Sequence, residues 1–306
     1  MAMKKSGFNT SAGSVTFNII NYAIFALFTL ICIYPFYYLI INTFSANDMS
    51  DNGLINFYPQ GIHFSNYVEV LKLKGLGHAA MISVLRMVIG TILTVAASAY
   101  LGFMFTQKKM WKRSLWYRSM VITMYFNAGL IPAFITMHLL GLTNNFLVYI
   151  IPAIVQPFNI ILTKTYLESI PESLQQAAEI DGAGVMRIFI QIMLPLALPI
   201  LATIAIFSAV NQWNSFQDTL IYVTNQKLYS LQYVLYQYIN QSNSLAQLIR
   251  TSTITSSDTM IALATKQTPT SVRMTVSVIV VIPILLVYPI FQRFFIKGIL
   301  IGSVKG

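Results

Sequence analysis

Long apolar runs alternate with shorter polar connections along this chain, and six of the runs are long enough to cross a bilayer. A helix spanning about 30 Å of hydrocarbon needs about 20 mainly apolar residues at 1.5 Å rise each. The windows 17–43, 79–105, 118–140, 146–167, 189–212 and 273–295 meet that length. Inside lipid every backbone N–H and C=O must be satisfied internally, and runs this long predict helices rather than strands. The second window contains Arg86 and the fourth ends near Lys164, where a long basic side chain snorkels or faces the protein interior. The predicted fold is an all-α membrane protein with six transmembrane helices.

The connections differ in kind. Residues 44–78 and 213–272 are long and carry many amides, hydroxyls and tyrosines, and connections of that length are functional or disordered. Within the second, Leu228, Leu231, Leu235 and Ile239 recur at helical spacing and predict a surface helix. The segment from Gln176 to Pro195, QAAEIDGAGVMRIFIQIMLP, is polar, Gly-punctuated and enclosed by membrane-length runs. Ser169 is placed to cap a helix there, Pro171 suits a first turn, Glu172 favours the positive end, and Ala177 and Ala178 propagate it. Gly182 permits a sharp turn, and a second short helix, Val185 to Ile192, leads to Pro195, where the next span is expected to begin.

Composition agrees: 56% of the 306 residues are hydrophobic and only 9% charged, against about 25% charged in soluble domains. Lys and Arg fix an orientation, because they accumulate on the cytoplasmic side. With the N-terminus inside, the inner segments hold twelve of the nineteen, including Lys108, Lys109, Lys112, Arg113, Lys164 and Arg187. The expected topology is N-in and C-in, with residues 168–188 in the cytoplasm. The net charge of +10 sits at span ends rather than on one soluble face with aromatics, so it fits anchoring to membrane lipid and not a nucleic-acid partner. The first window exceeds the ~7–15-residue core of a cleaved signal, so it is expected to be retained. Cys32, the single cysteine, has no internal disulfide partner.

Candidate chemistry is sparse. His63, His78 and His138 have no His or Cys at metal-ligand spacing, so no metal site is expected. Glu168, Glu172, Glu179 and Asp181 all fall in or beside the polar segment and read as a docking surface rather than acid–base catalysts. No GxxxxGK[ST] phosphate loop is present, and no nucleophile and base stand out, so no enzymatic reaction is expected. Polar side chains in or near spans are costly without a role. Asn127, Asn159, Asn211, Gln212, Trp213, Asn214 and Gln217 are the candidates for a solute pathway, with Gln212–Trp213–Asn214 foremost. Amides suit sugar hydroxyls and Trp suits sugar ring faces.

The polar segment resembles a loop shared by the inner-membrane subunits of ATP-driven (ABC) importers: E-A-A, three residues, Gly, nine residues, Ile, one residue, Leu-Pro. Ala177, Ala178, Gly182, Ile192, Leu194 and Pro195 match, and Gln176 replaces the Glu. FYPQGIHFSNYVEVL, FNAGLIPAFITMHLLGLTNN, QWN, YSLQYVL and GILIGSVKG are similar to the carbohydrate-uptake branch, the maltose-type and complex-polysaccharide-type permeases. The resemblance implies a type I ABC importer permease fold over a single domain, residues 1–306, in a bacterial cytoplasmic membrane. It implies half of a translocation pathway completed by a second homologous permease. Two ATPase subunits would carry the ATP and Mg, with no cofactor on this chain, and an extracytoplasmic solute-binding lipoprotein would deliver an oligosaccharide or complex glycan. Gln176, Ala177, Ala178, Glu179, Asp181 and Gly182 would form the ATPase-coupling surface, and Gly298–Gly306 either a tail that contacts the ATPases or a frayed basic end. A permease for another solute class and a secondary transporter remain as alternatives. The second is weakened because no window contains the Asp or Glu that ion coupling needs.

Overall fold

The computed structural model describes residues 12–72, 75–240, 270–283 and 285, all of whose regular structure is helical. The second part of the sixth window and the tail 298–306 lie outside the described residues. The chain divides into two compact units, residues 1–70 with 242–278, and residues 71–241 with 279–306.

In the first unit α1 (Ala12–Phe44) is one continuous helix of 33 residues, about 50 Å long at 1.5 Å per residue. Its side chains are exposed along most of its length, as a lipid-facing span requires. Its C-terminal end is polar and buried: Asn42 donates to Tyr38 O and Ile55 O, and Ser50 donates to Asn42 Oδ1. This network, with Asn66 donating to Thr43 O, folds α2 (Asn47–Asp51) and α3 (Ser65–Leu71) back onto the end of α1.

In the second unit α4 (Leu76–Met104) is the central helix, and α8 (Pro157–Leu167) and α12 (Leu198–Asn214) pack along it. Small residues permit the close approach. A Cβ on Gly102 would stand 2.7 Å from Thr163 Cβ, and one on Gly90 would stand 2.7 Å from Gln212 Nε2. Around them sits a core that includes Ala99, Phe103, Leu167, Ala178, Ile188, Met193 and Ile204.

The predicted windows survive unevenly. Among the described residues α1 and α4 are long and apolar enough to cross a membrane as single helices. The fourth window is two helices, a 3₁₀ turn (Phe146–Tyr149) with α7 (Ile151–Ile154) and then α8, bent by 41° where Pro157 removes a backbone donor. The fifth is bent by 77° at Ala197, so four spans result if each bent pair counts as one. The third window is not a continuous helix: α5 (Arg113–Thr123) and α6 (Leu130–Leu139) are separated by Met124–Gly129, where Gly129 adopts φ +85°. The predicted surface helix begins later than expected, over residues 231–240, because Ser230 accepts from Tyr233 N as its N-cap and leaves Leu228 in a preceding 3₁₀ turn.

Candidate functional site

The segment that the sequence singled out folds as a helix, a turn and a second helix. α9 (Glu172–Ile180) has Pro171 at its N-cap, whereas Ser169 donates its hydroxyl to Tyr166 O. The expected Ser169 cap is therefore replaced by a link to the preceding helix. At the other end Gly182 N–H donates to Glu179 O and Ala183 N–H to Ala178 O, with Gly182 at φ +78°. This is a complete Schellman cap, which closes the last carbonyls of α9 and turns the chain. α10 (Val185–Ile188) follows, widens into a π turn at Phe189–Met193, and continues through α11 (Leu194–Leu196). The next helix thus begins not at Pro195 but beyond it, after Ala197. π turns and Pro are recognised causes of such bends.

The segment's surface is divided. Gln176, Ala177, Glu179, Asp181 and Gly182 are exposed, while Ala178 is turned into the chain's own core. Beside them Ile180 is 86% exposed, and Leu174, Val185 and Met186 also face outward. The carboxylates are mostly engaged within the chain. Glu172 pairs with Lys108 at 2.7 Å, Glu179 with Lys109 at 2.9 Å and Glu168 with Lys164 at 2.7 Å. Gln107 and Gln175 exchange amide hydrogen bonds, the better at 2.9 Å, and Gln175 also donates to Glu179. Hydrogen bonds from Lys109 and then Gln175 hold the Glu179 carboxyl below its ordinary range. The connection 105–112 is thereby stapled to α9 over a cleft of about 380 Å³. Asp181 alone of the four carries no partner among the described residues.

A second polar constellation lies where α12 turns into α13 (Gln217–Tyr222). Arg86 of α4 is 1% exposed; its Nε donates to Gln212 Oε1 at 3.0 Å and its other nitrogens to Ser215 O and to Asp218 Oδ2 at 2.7 Å. Its guanidinium lies 4.3 Å from the centre of the Tyr149 ring. Gln212 donates in turn to Tyr149 O, and the Tyr149 hydroxyl donates to Leu228 O. Arg86 is buried while the Asp218 side chain is 37% exposed, and losing its partners would leave the buried guanidinium uncompensated, so the network fixes the corner against α4. A cavity of about 290 Å³ opens beside it.

That cavity gathers Asn211, Gln212 and Gln217 from the predicted pathway and adds Gln156 and Asp218. The other candidates fall elsewhere. Trp213 is 5% exposed and donates its indole N–H to Val280 O, so it is a core anchor and not a stacking platform. Asn214 is exposed and accepts from Gln232. Asn127 sits in the break between α5 and α6 and accepts from Gly129 N, and Asn159 is buried on α8. The histidines are dispersed, with His78 bonded to Lys227 O, His63 to Ser65, and His138 stacked on Phe134. Asp218 is the residue that sequence reasoning missed. Its signal was Arg86, since a cation inside a span needs an acid, and Asp218 lies just past the fifth window.

Residues 98–301 match the family model described as binding-protein-dependent transport system inner membrane component. The polygalacturonan/rhamnogalacturonan transport system permease of Bacillus subtilis is 30% identical, covering 95% of this chain and 98% of the relative. The arabinooligosaccharides transport system permease of Halalkalibacterium halodurans is 28% identical over 92% of this chain and 94% of its own. Among solved structures, a bacterial ABC transporter involved in the import of the acidic polysaccharide alginate matches with a TM-score of 0.81 and 27% identity, over 93% of this chain and 98% of that chain. This chain belongs to the family of ABC importer permeases, inner-membrane components of binding-protein-dependent transport systems. It is a transport component and not an enzyme.

Proposed function

We propose that this chain is one permease half of an ATP-driven importer of oligosaccharides or complex glycans. The observation that carries the reading is the Schellman-capped turn at Gly182, which presents Gln176, Ala177, Glu179, Asp181 and exposed Ile180 on one protrusion of a chain whose relatives are named as glycan permeases. Two ATPase subunits bind ATP and Mg and receive this protrusion in a cleft, with Ala178 acting as the spacer beneath it. A second homologous permease completes the pathway, and a solute-binding lipoprotein delivers the sugar from outside. Asn211, Gln212 and Gln217 line the sugar's route at the α12–α13 corner.

The whole chain, 1–306, works as one membrane domain with six crossings, made by α1, α4, the α5–α6 pair, α7–α8, α10–α12 and the helix that includes Thr270–Pro283. Both termini lie in the cytoplasm, as does the protrusion. ATP-driven approach of the two ATPases moves the protrusion, and α10–α12 carries that motion through the 77° bend to the corner. The test is reconstitution in proteoliposomes with a partner permease, an ATPase and a binding protein from the same organism. ATP-dependent uptake of a labelled oligosaccharide, stimulated by the binding protein, is expected. Uptake that needs an ion gradient and no ATP overturns the reading.

A further inference from the structure

Hydrogen bonding sorts the polar side chains of the α12–α13 cavity into two groups. Arg86, with 1% of its surface exposed, is bonded to Gln212, Ser215 and Asp218 and covered on one face by Tyr149. Gln212 is bonded at both ends of its amide. Toward the opening, Gln156, Asn211 and Gln217 make no side-chain hydrogen bond among the described residues. Asp218 accepts Arg86 and Ser215 on Oδ2, and Oδ1 has no donor among the described residues on a side chain that is 37% exposed.

We infer that this cavity, on the carbohydrate reading above, receives a neutral, hydroxyl-rich sugar unit and disfavours a uronate or other anionic one. Three unbonded amides donate to and accept from hydroxyls, and Asp218 Oδ1 accepts a hydroxyl proton. A sugar carboxylate would meet Asp218 as a like charge, and the cation lining the cavity is 1% exposed and already paired with that same carboxylate. Three of its five N–H donors are engaged by Gln212, Ser215 and Asp218, and its burial leaves almost no surface for an incoming anion. The polygalacturonan and alginate transporters are named for acidic cargo, so a preference for neutral units here would separate this chain from them in specificity.

The test is direct binding to the purified complex of permeases and ATPases, without the binding protein, so that the membrane site alone selects. An arabino-oligosaccharide and an oligogalacturonide of equal length are the probes. Wild type is expected to prefer the neutral probe about tenfold or more. Gln217→Lys adds an ammonium beside Asp218 at an exposed position that bonds nothing, and is expected to shift the preference several-fold toward the oligogalacturonide. Asp218→Asn, assembled with Arg86 still bonded to an amide oxygen, shifts it the same way. Equal binding of the two probes by wild type, an unchanged ratio in Gln217→Lys, or no binding of either probe at millimolar concentration overturns the inference. Uptake stimulated by the binding protein in the same preparation tests the carbohydrate reading separately.

Discussion

Gly182 combines a φ of +78° with open space, since no atom lies within 4 Å of the place a Cβ would take. The objection to a side chain there is therefore backbone conformation and not bulk. An L-residue in that region costs about 1–2 kcal/mol, which is roughly a tenfold shift away from the capped turn. Gly182→Ala is expected to lower ATP-dependent uptake by up to that factor, Gly182→Asn to lower it less, and Gly182→Pro to abolish it, with the protein still inserted. Uptake by Gly182→Pro at the wild-type rate would remove the turn from the coupling surface. Trp213 is the opposite case, where the structure replaces the role read from sequence. A Trp at an apolar helix end reads equally as a sugar platform or a buried anchor, and only its neighbours decide. With its N–H bonded to Val280 O and 5% exposure, Trp213→Ala opens a core cavity at about 3–5 kcal/mol. The yield of assembled complex, transport and ATP hydrolysis are expected to fall together. A variant that assembles fully yet loses only transport would restore the pathway role.

The helices of the second unit were legible where one apolar period ran uninterrupted, as in α4. The bends at Ala197 and Val155–Gln156 and the break at Met124–Gly129 were not, because hydropathy averages across the few residues that make them. The ion-pair staple was equally hidden, since it joins residues some 64 and 70 positions apart in sequence. The glutamates were visible as a cluster, but their partners on the 105–112 connection were not. An exposed ion pair contributes little by itself, so Lys109→Ala is expected to leave uptake nearly unchanged. Lys109→Glu sets a like charge against Glu179, whose other oxygen accepts from Gln175, and is expected to reduce uptake several-fold. Reversal by Glu179→Lys in the same chain would establish that the pair positions α9. If the double variant is no better than Lys109→Glu, the two side chains act on something other than each other.

At the scale of the whole molecule, the reading depends on which side of the membrane the protrusion occupies. Twelve of the nineteen Lys and Arg residues fall in segments that share a side if the termini are inside, and basic residues hold their loops in the cytoplasm. The staple adds a physical link to that argument, because Lys108 and Lys109 are bound to the protrusion itself. The connection 105–112 and the segment 172–183 must therefore share a compartment. Four exposed positions give a clean test in a chain whose single cysteine, Cys32, has been changed to Ser. Trp111 and Ile180 are 70% and 86% exposed, and Leu54 and Tyr58 are 62% and 78% exposed, so a cysteine at any of them is open to reagent. In intact cells an impermeant maleimide is expected to label cysteines at 54 and 58 and to miss those at 111 and 180, which react only after permeabilisation. Labelling of 111 and 180 in intact cells would invert the orientation and put the protrusion out of reach of any cytoplasmic ATPase. Labelling of one of that pair without the other would contradict the staple itself.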